Sequence, residues 1–140
     1  MKILFAADGS KYTKKAAGFL MTHDSLADGD AELVVLNVQP AMPPRVKAMV
    51  GAQAVRDYQT EEAGKVLQPM DRFLTRHGVK FRTGWVVGVP GEEIVKAAKR
   101  EKAHLVVMGT HGHGVIGRAL LGSVAQHVVT GSEVPVLLVK

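Results

Sequence analysis

Residues 104–123 read HLVVMGTHGHGVIGRALLGS, and the fold turns on them. His104 to Met108 is a short apolar run, the length of a buried strand. Five glycines then fall within fourteen residues: Gly109, Gly112, Gly114, Gly117 and Gly122. Glycine-rich chain is entropically costly to order, and the cost makes sense where backbone must approach another group closely. Ser123 to Thr130 has the length of a short helix, and Val134 to Val139 (VPVLLV) is a further apolar run. In an open α/β sheet, the chain between a strand and the next helix presents helix N–H groups beyond the strand's carboxyl end, where anions bind. Ser123 stands where its hydroxyl would cap that helix or donate to a phosphate oxygen. A plain strand-to-helix connection, the alternative, needs far fewer residues.

The same alternation extends to the start of the chain. Lys2 to Ala7 (KILFAA) reads as a buried strand broken by Asp8-Gly9-Ser10, with Ser10 as the N-cap of a helix running to about Ala27. Asp28-Gly29-Asp30 marks a turn, and Glu32 to Val38 (ELVVLNV) a second strand. Pro40, Pro43 and Pro44 predict a non-helical connection. A long helix follows from about Ala52 to His77, with Leu67, Met70 and Leu74 on its buried face and Pro69 expected to kink or split it. Gly78 suits the left-handed stop after a helix. Val79 to Val87 is a third strand. Pro90-Gly91 opens a helix with Glu92 and Glu93 in its positive first turn and Ile94, Ala97 and Ala98 inward. The order β-α-β-α-β-α-β-α-β, with apolar rather than alternating strands, predicts one α/β domain over residues 1–140. Its sheet is doubly wound, parallel and five-stranded, with strand order 3-2-1-4-5, helices on both faces and a Rossmann-like character.

Composition agrees. The chain has 140 residues, 46% of them apolar, which fits a single domain with a real core. It has no cysteine, excluding disulfides and thiolate metal sites. No stretch approaches the ~20 apolar residues of a membrane span, and the first residues lack the features of a secretory signal, so a cytoplasmic protein is expected. The net charge is +5 and the pI about 9.6, but the basic residues are scattered and aromatics are only 5%. Nucleic acid is therefore not the expected partner. A mild positive field does suit an anionic ligand.

Three phosphate-binding patterns compete for the loop. A P-loop needs a glycine followed by Lys-Ser or Lys-Thr, and none is present. Gly112-His-Gly114-Val-Ile-Gly117 matches the dinucleotide pattern G-x-G-x-x-G, but it follows the fourth strand, and the acid about 20 residues on would be Glu133, which precedes the last strand. The third pattern is Gly109-x-x-Gly112, nine residues, then Gly122-Ser123. This G-2x-G-9x-G-[ST] spacing resembles the ATP-binding universal stress protein family. The opening KILFAADGS, the stretch VVGVPGEEIVKAAKREKAHLVVMGTHG and the closing LLGSVAQHVVTGSEVPVLLVK resemble the same family, so the likeness covers the whole chain. It implies adenine near Ala7, Asp8 and Val38, and ribose and phosphates near Met108, Gly109, His111, Gly112, Gly122, Ser123 and Val124. His111 occupies a position that is often basic in the family. Asp8 also reads as a turn carboxylate that helps to cap the first helix. Arg118 is the nearest permanent cation. His111 and His113 form an H-x-H pair without an evident third metal ligand, so Mg²⁺ held mainly by ATP phosphates is the more natural metal.

The loop from Gly109 to Ser123 contains no carboxylate or carboxamide to orient a hydrolytic water. ATP binding with little or no hydrolysis, serving a nucleotide-dependent stress response through a conformational or partner change, is the leading expectation. A slow ATP hydrolase and a ligand-free interaction module are the alternatives. The last strand, an edge in the order 3-2-1-4-5 and apolar on both faces, is expected to pair with a second copy as a homodimer through Val134–Val139.

Overall fold

Five strands form one parallel sheet in the order β3-β2-β1-β4-β5. In this computed structural model, residues 1–23, 26, 29–112 and 121–140 are described. The strands are β1 (Lys2–Ala6), β2 (Glu32–Gln39), β3 (Phe81–Val87), β4 (Leu105–Gly109) and β5 (Val136–Val139). Five helices lie among the described residues: α1 (Lys11–Thr22), α2 (Pro44–Val50), α3 (Ala52–Arg76), α4 (Pro90–Arg100) and α5 (Ser123–Gly131). The register runs Ile3 beside Leu33 on one side and beside Leu105 on the other. β5 pairs with β4 alone, Val107 opposite Leu137, so the fold class and strand order are those expected.

The central strands β1, β2 and β4 are apolar on both sides because each side is covered, whereas edge strand β3 exposes Arg82, Thr83 and Gly84. Ile3, Phe5, Leu33, Val35 and Val107 pack beneath Ala16 and Leu20 of α1 and Leu67, Met70 and Leu74 of α3. Leu4, Val34, Leu36, Val106 and Met108 pack on Ile94, Ala97 and Ala98 of α4 and Ala125 and Val128 of α5. Side chains alternate across a strand, so a continuous run such as KILFA supplies both cores at once. Burying one Leu or Ile is worth roughly 1.5–3 kcal/mol, and Ile3, Leu4 and Leu20 are wholly buried.

Five local expectations differ. The prolines after β2 do not exclude a helix: Pro44 begins α2 as its first residue, where the missing N–H has no intrahelical partner to lose. Pro69 does not split the long helix, which runs unbroken through Ala52–Arg76. Pro69 is exposed and the buried face of α3 lies on the other side, so the Lys65 carbonyl that loses its N–H partner faces water. The first helix stops at Thr22 rather than near Ala27, and Ala27 and Asp28 lie outside the described residues. β3 starts two residues late, at Phe81. β5 starts at Val136 because Ser132 and Val134 form a turn closed by the Ser132 hydroxyl, which donates to the Val134 carbonyl at 2.8 Å. Gly78 adopts φ +65° after α3, as a left-handed helix stop requires.

Candidate functional site

A cavity of about 730 Å³ opens beyond the carboxyl ends of β1, β2 and β4. The chain crosses from β3 back to β4 beside β1, and this switch point leaves a crevice between neighbouring crossovers. Its walls include all ten residues expected at a site: Ala7, Asp8 and Val38 on one side, and Met108, Gly109, His111, Gly112, Gly122, Ser123 and Val124 on the other. Gly114, Gly117, His113 and Arg118 lie outside the described residues, and with them the H-x-H pair and the assisting arginine. Among the described residues no three His, Cys, Asp or Glu side chains gather to hold a metal.

The loop's two ends are tied together. The Gly122 amide donates to the Thr110 carbonyl at 2.8 Å, which brings the start of α5 against the end of β4. Each signature glycine has a neighbour that a side chain would strike. A Cβ on Gly109 would meet Cβ of Tyr12 on α1, one on Gly112 would meet Asp8 Oδ2, and one on Gly122 would stand 3.3 Å from both His111 Cα and the Thr110 oxygen. Close approach of backbone is therefore required first by the protein itself. Gly122, not Ser123, is the N-cap of α5, and no side chain caps that helix. Ser123 is instead its first residue, and its side chain shares the cavity wall with the helix's leading N–H groups, where the dipole favours anions.

Asp8 is held as the turn reading expects. Its Oδ1 accepts from the Ser10 amide at 2.9 Å and from the Thr13 hydroxyl at 2.8 Å, while its own amide donates back to Thr13 Oγ1 at 3.0 Å. The Ser10 hydroxyl in turn caps α1 by accepting from the Thr13 amide. Asp8 also lines the cavity and reaches Gly112, so it stands between the strand ends and the loop rather than on one side alone. His111 shares a hydrogen bond of 2.9 Å between its Nδ1 and the Thr110 hydroxyl, and its ring lies 5.1 Å from that of Tyr12. Lys11 and Lys15 sit over the Tyr12 ring, placing positive charge near this end of the cavity.

The opposite end contains groups that the motif reading passed over. Buried Asn37 donates from Nδ2 to the Ala7 carbonyl at 2.9 Å, and Gln39 donates from Nε2 to Asn37 Oδ1 at 2.7 Å. The one available hint is an asparagine inside the apolar run ELVVLNV. Gln59 of α3 donates to the Pro40 carbonyl at 3.4 Å and tethers the exit of β2. Glu62 and Lys65 of α3 also line the cavity as an ion pair at 2.8 Å. The hydrogen bond to Glu62 raises the Lys65 pKa above its ordinary value. Apolar Val38, Val66 and Ile94 also line the cavity, together with Gly109, Gly112, Gly122, Thr110 and Ser123.

Fold and site together define a doubly wound α/β domain with a ligand-sized crevice at its switch point. The whole chain, residues 1–140, matches the universal stress protein family, and it belongs to that family. It is 36% identical over 139 residues to a universal stress protein of Thermus aquaticus, covering 99% of this chain and 97% of that one. A universal stress protein of Methanocaldococcus jannaschii is 34% identical over 140 residues, covering 99% of this chain and 81% of the relative. Among solved structures, a hypothetical protein of the same archaeon superimposes with a TM-score of 0.83 at 32% identity, covering 99% and 94% of the two chains. The universal stress protein of Archaeoglobus fulgidus in complex with dAMP gives 0.73 at 20% identity, covering 100% and 98%.

Proposed function

We propose that this protein binds ATP in the cavity, base toward β1 and β2 and phosphates on the loop between β4 and α5, and answers by a conformational or partner change. The observation that carries this reading is that one cavity is lined both by apolar Val38, Val66 and Ile94 at strand and helix faces and by the glycine backbone of Gly109, Gly112 and Gly122 with Ser123 in the first turn of α5. The dAMP held by the archaeal family member supports an adenine nucleotide as the ligand class. Mg²⁺ would ride on the phosphates, since the described donors at this end offer one carboxylate, Asp8, and Mg²⁺ keeps most of its waters. Turnover would be slow at most, because Asp8 Oδ1 already accepts from the Ser10 amide and the Thr13 hydroxyl instead of standing ready to orient a water. We further place the protein in the cytoplasm as a homodimer joined through the edge strand β5. No described helix is long and apolar enough to cross a membrane.

Thermal shift across ATP, ADP, AMP, cAMP, GTP and NAD tests the ligand. A hundredfold excess over Kd stabilises by about 2.7 kcal/mol, several degrees in Tm. ATP should give such a shift. No shift with any nucleotide would overturn the reading.

A further inference from the structure

We infer that Gln39 reads the base, accepting from the 6-amino group of adenine, and that its orientation is dictated by a carbonyl of the neighbouring strand. The inference rests on the nucleotide reading above. The Ala7 oxygen is a backbone carbonyl and can only accept. The group of Asn37 that faces it at 2.9 Å is therefore the amide nitrogen, which fixes the Asn37 side chain without any choice of flip. Its other end, Oδ1, must then accept, and the group 2.7 Å away on Gln39 is the nitrogen Nε2. One of the two Nε2 hydrogens goes to Asn37 and sets the orientation of the carboxamide, whose one acceptor, Oε1, is the end we assign to the ligand. Asn37 is buried, so the relay is shielded from competing water, and Gln39 is half-buried at the end of β2, on the cavity wall. Its backbone is pinned as well, since the Gly88 amide donates to the Gln39 carbonyl at 3.0 Å.

An acceptor at this edge suits a donor on the ligand. Adenine carries an exocyclic N–H₂ at position 6, whereas guanine and hypoxanthine carry a carbonyl there, which would face the Gln39 oxygen acceptor to acceptor. The structure thus assigns Gln39 as a specificity-determining residue for 6-amino over 6-oxo purines, and Asn37 as the residue that positions it.

Calorimetric titration with ATP and ITP, which differ at position 6 and in the proton that N1 of the 6-oxo base carries, tests this, with inorganic tripolyphosphate as a probe of the phosphate half. The wild type should prefer ATP over ITP by about tenfold, the scale of one hydrogen bond made against one opposed. Gln39→Met keeps the side chain's length and removes its acceptor, and Gln39→Ala removes the group entirely. Either should bring the two nucleotides within about twofold of each other by weakening ATP, with tripolyphosphate binding unchanged and Tm lowered by the loss of the donor to buried Asn37 Oδ1. A wild type that prefers ATP, with the ratio intact in the folded Gln39 variant, overturns the inference while leaving nucleotide binding standing. A wild type that binds ATP and ITP equally does the same. A wild type that binds neither overturns the nucleotide reading, and this inference with it.

Discussion

The two ends of the sheet are finished in opposite ways. At the amino end, charges from three strands and the chain after α4 neutralise one another: Arg82 pairs with Glu101 and, at 3.6 Å, with Glu32, while Lys2 stands 3.9 Å from Glu101. At the carboxyl end, β1, β2 and β4 stop at a cavity walled by glycine, hydroxyls, carboxamides and a helix start. Parallel strands all deliver their carboxyl ends to one side, where the connections to the next helices diverge at the switch point. Opposed charges close one end. The other keeps hydrogen-bonding groups and an uncapped helix terminus turned toward a space large enough for a ligand. Substitutions at the two ends should therefore separate binding from stability.

The largest effect is expected at the loop. Gly122→Val is compatible with the backbone, at φ −70°, but its side chain would press on His111 and Thr110 and stand where phosphate approaches. ATP binding should weaken by more than about a hundredfold in calorimetry, while circular dichroism reports a folded chain. Unchanged affinity would remove the loop from the site.

The edge of the sheet is next. β5 pairs on one side only; the Pro135 and Val139 carbonyls accept from β4, so Leu137 faces that side too, and Leu138→Pro removes an N–H from the middle of the free edge. Sedimentation should show a wild-type dimer and a variant that is monomeric or insoluble. A wild type sedimenting at about the 15.0 kDa of one chain across micromolar concentrations contradicts the dimer, and a dimer untouched by the substitution moves the interface elsewhere.

Smaller changes sharpen the contrast. Ser123→Ala should weaken ATP by about 1 kcal/mol, one hydrogen bond, with Tm unchanged, because Ser123 caps nothing. A loss of stability without loss of affinity would make it a structural residue. At the other end, the hydrogen bond from Arg82 holds the Glu101 carboxyl below its usual 4.5. A depressed carboxylate adds stability that is fully present above the unfolded value and lost as pH falls through the folded one. Arg82 is half exposed, so Glu101→Gln should cost less than about 1 kcal/mol near neutrality, and the difference from wild type should begin to shrink as pH falls past 4.5 and vanish once Glu101 is protonated in the folded chain. ATP affinity should not change. A difference that persists undiminished in acid would deny the ion pair its role.

How much of this was legible beforehand follows from the range of each signal. KILFA, ELVVLNV and HLVVM announce buried parallel strands because each run must serve two cores, and the strand order followed. Glycine spacing marked the loop, although its meaning was only half visible: Gly109 must make room for Tyr12, and Gly112 for Asp8, partners about a hundred residues away in the chain. Pro44 and Pro69 misled because a proline's effect depends on its place within a helix and on which side faces water. Asn37 and Gln39 were passed over because their roles come from the Ala7 carbonyl, 30 residues earlier, and only the pairing of β1 with β2 brings it into reach.

Hydrogen exchange resolved along the chain, with and without saturating ATP, tests the central claim most directly. Nucleotide in the cavity should slow exchange at Gly109–Gly112, at Gly122–Ala125 and at the exit of β2 near Val38 and Gln39. The amides around Lys2, Glu32, Arg82 and Glu101 should show no local protection beyond the general gain in stability. Protection centred on the amino end of the sheet, or ATP bound with the loop and the β2 exit unchanged, would contradict the account.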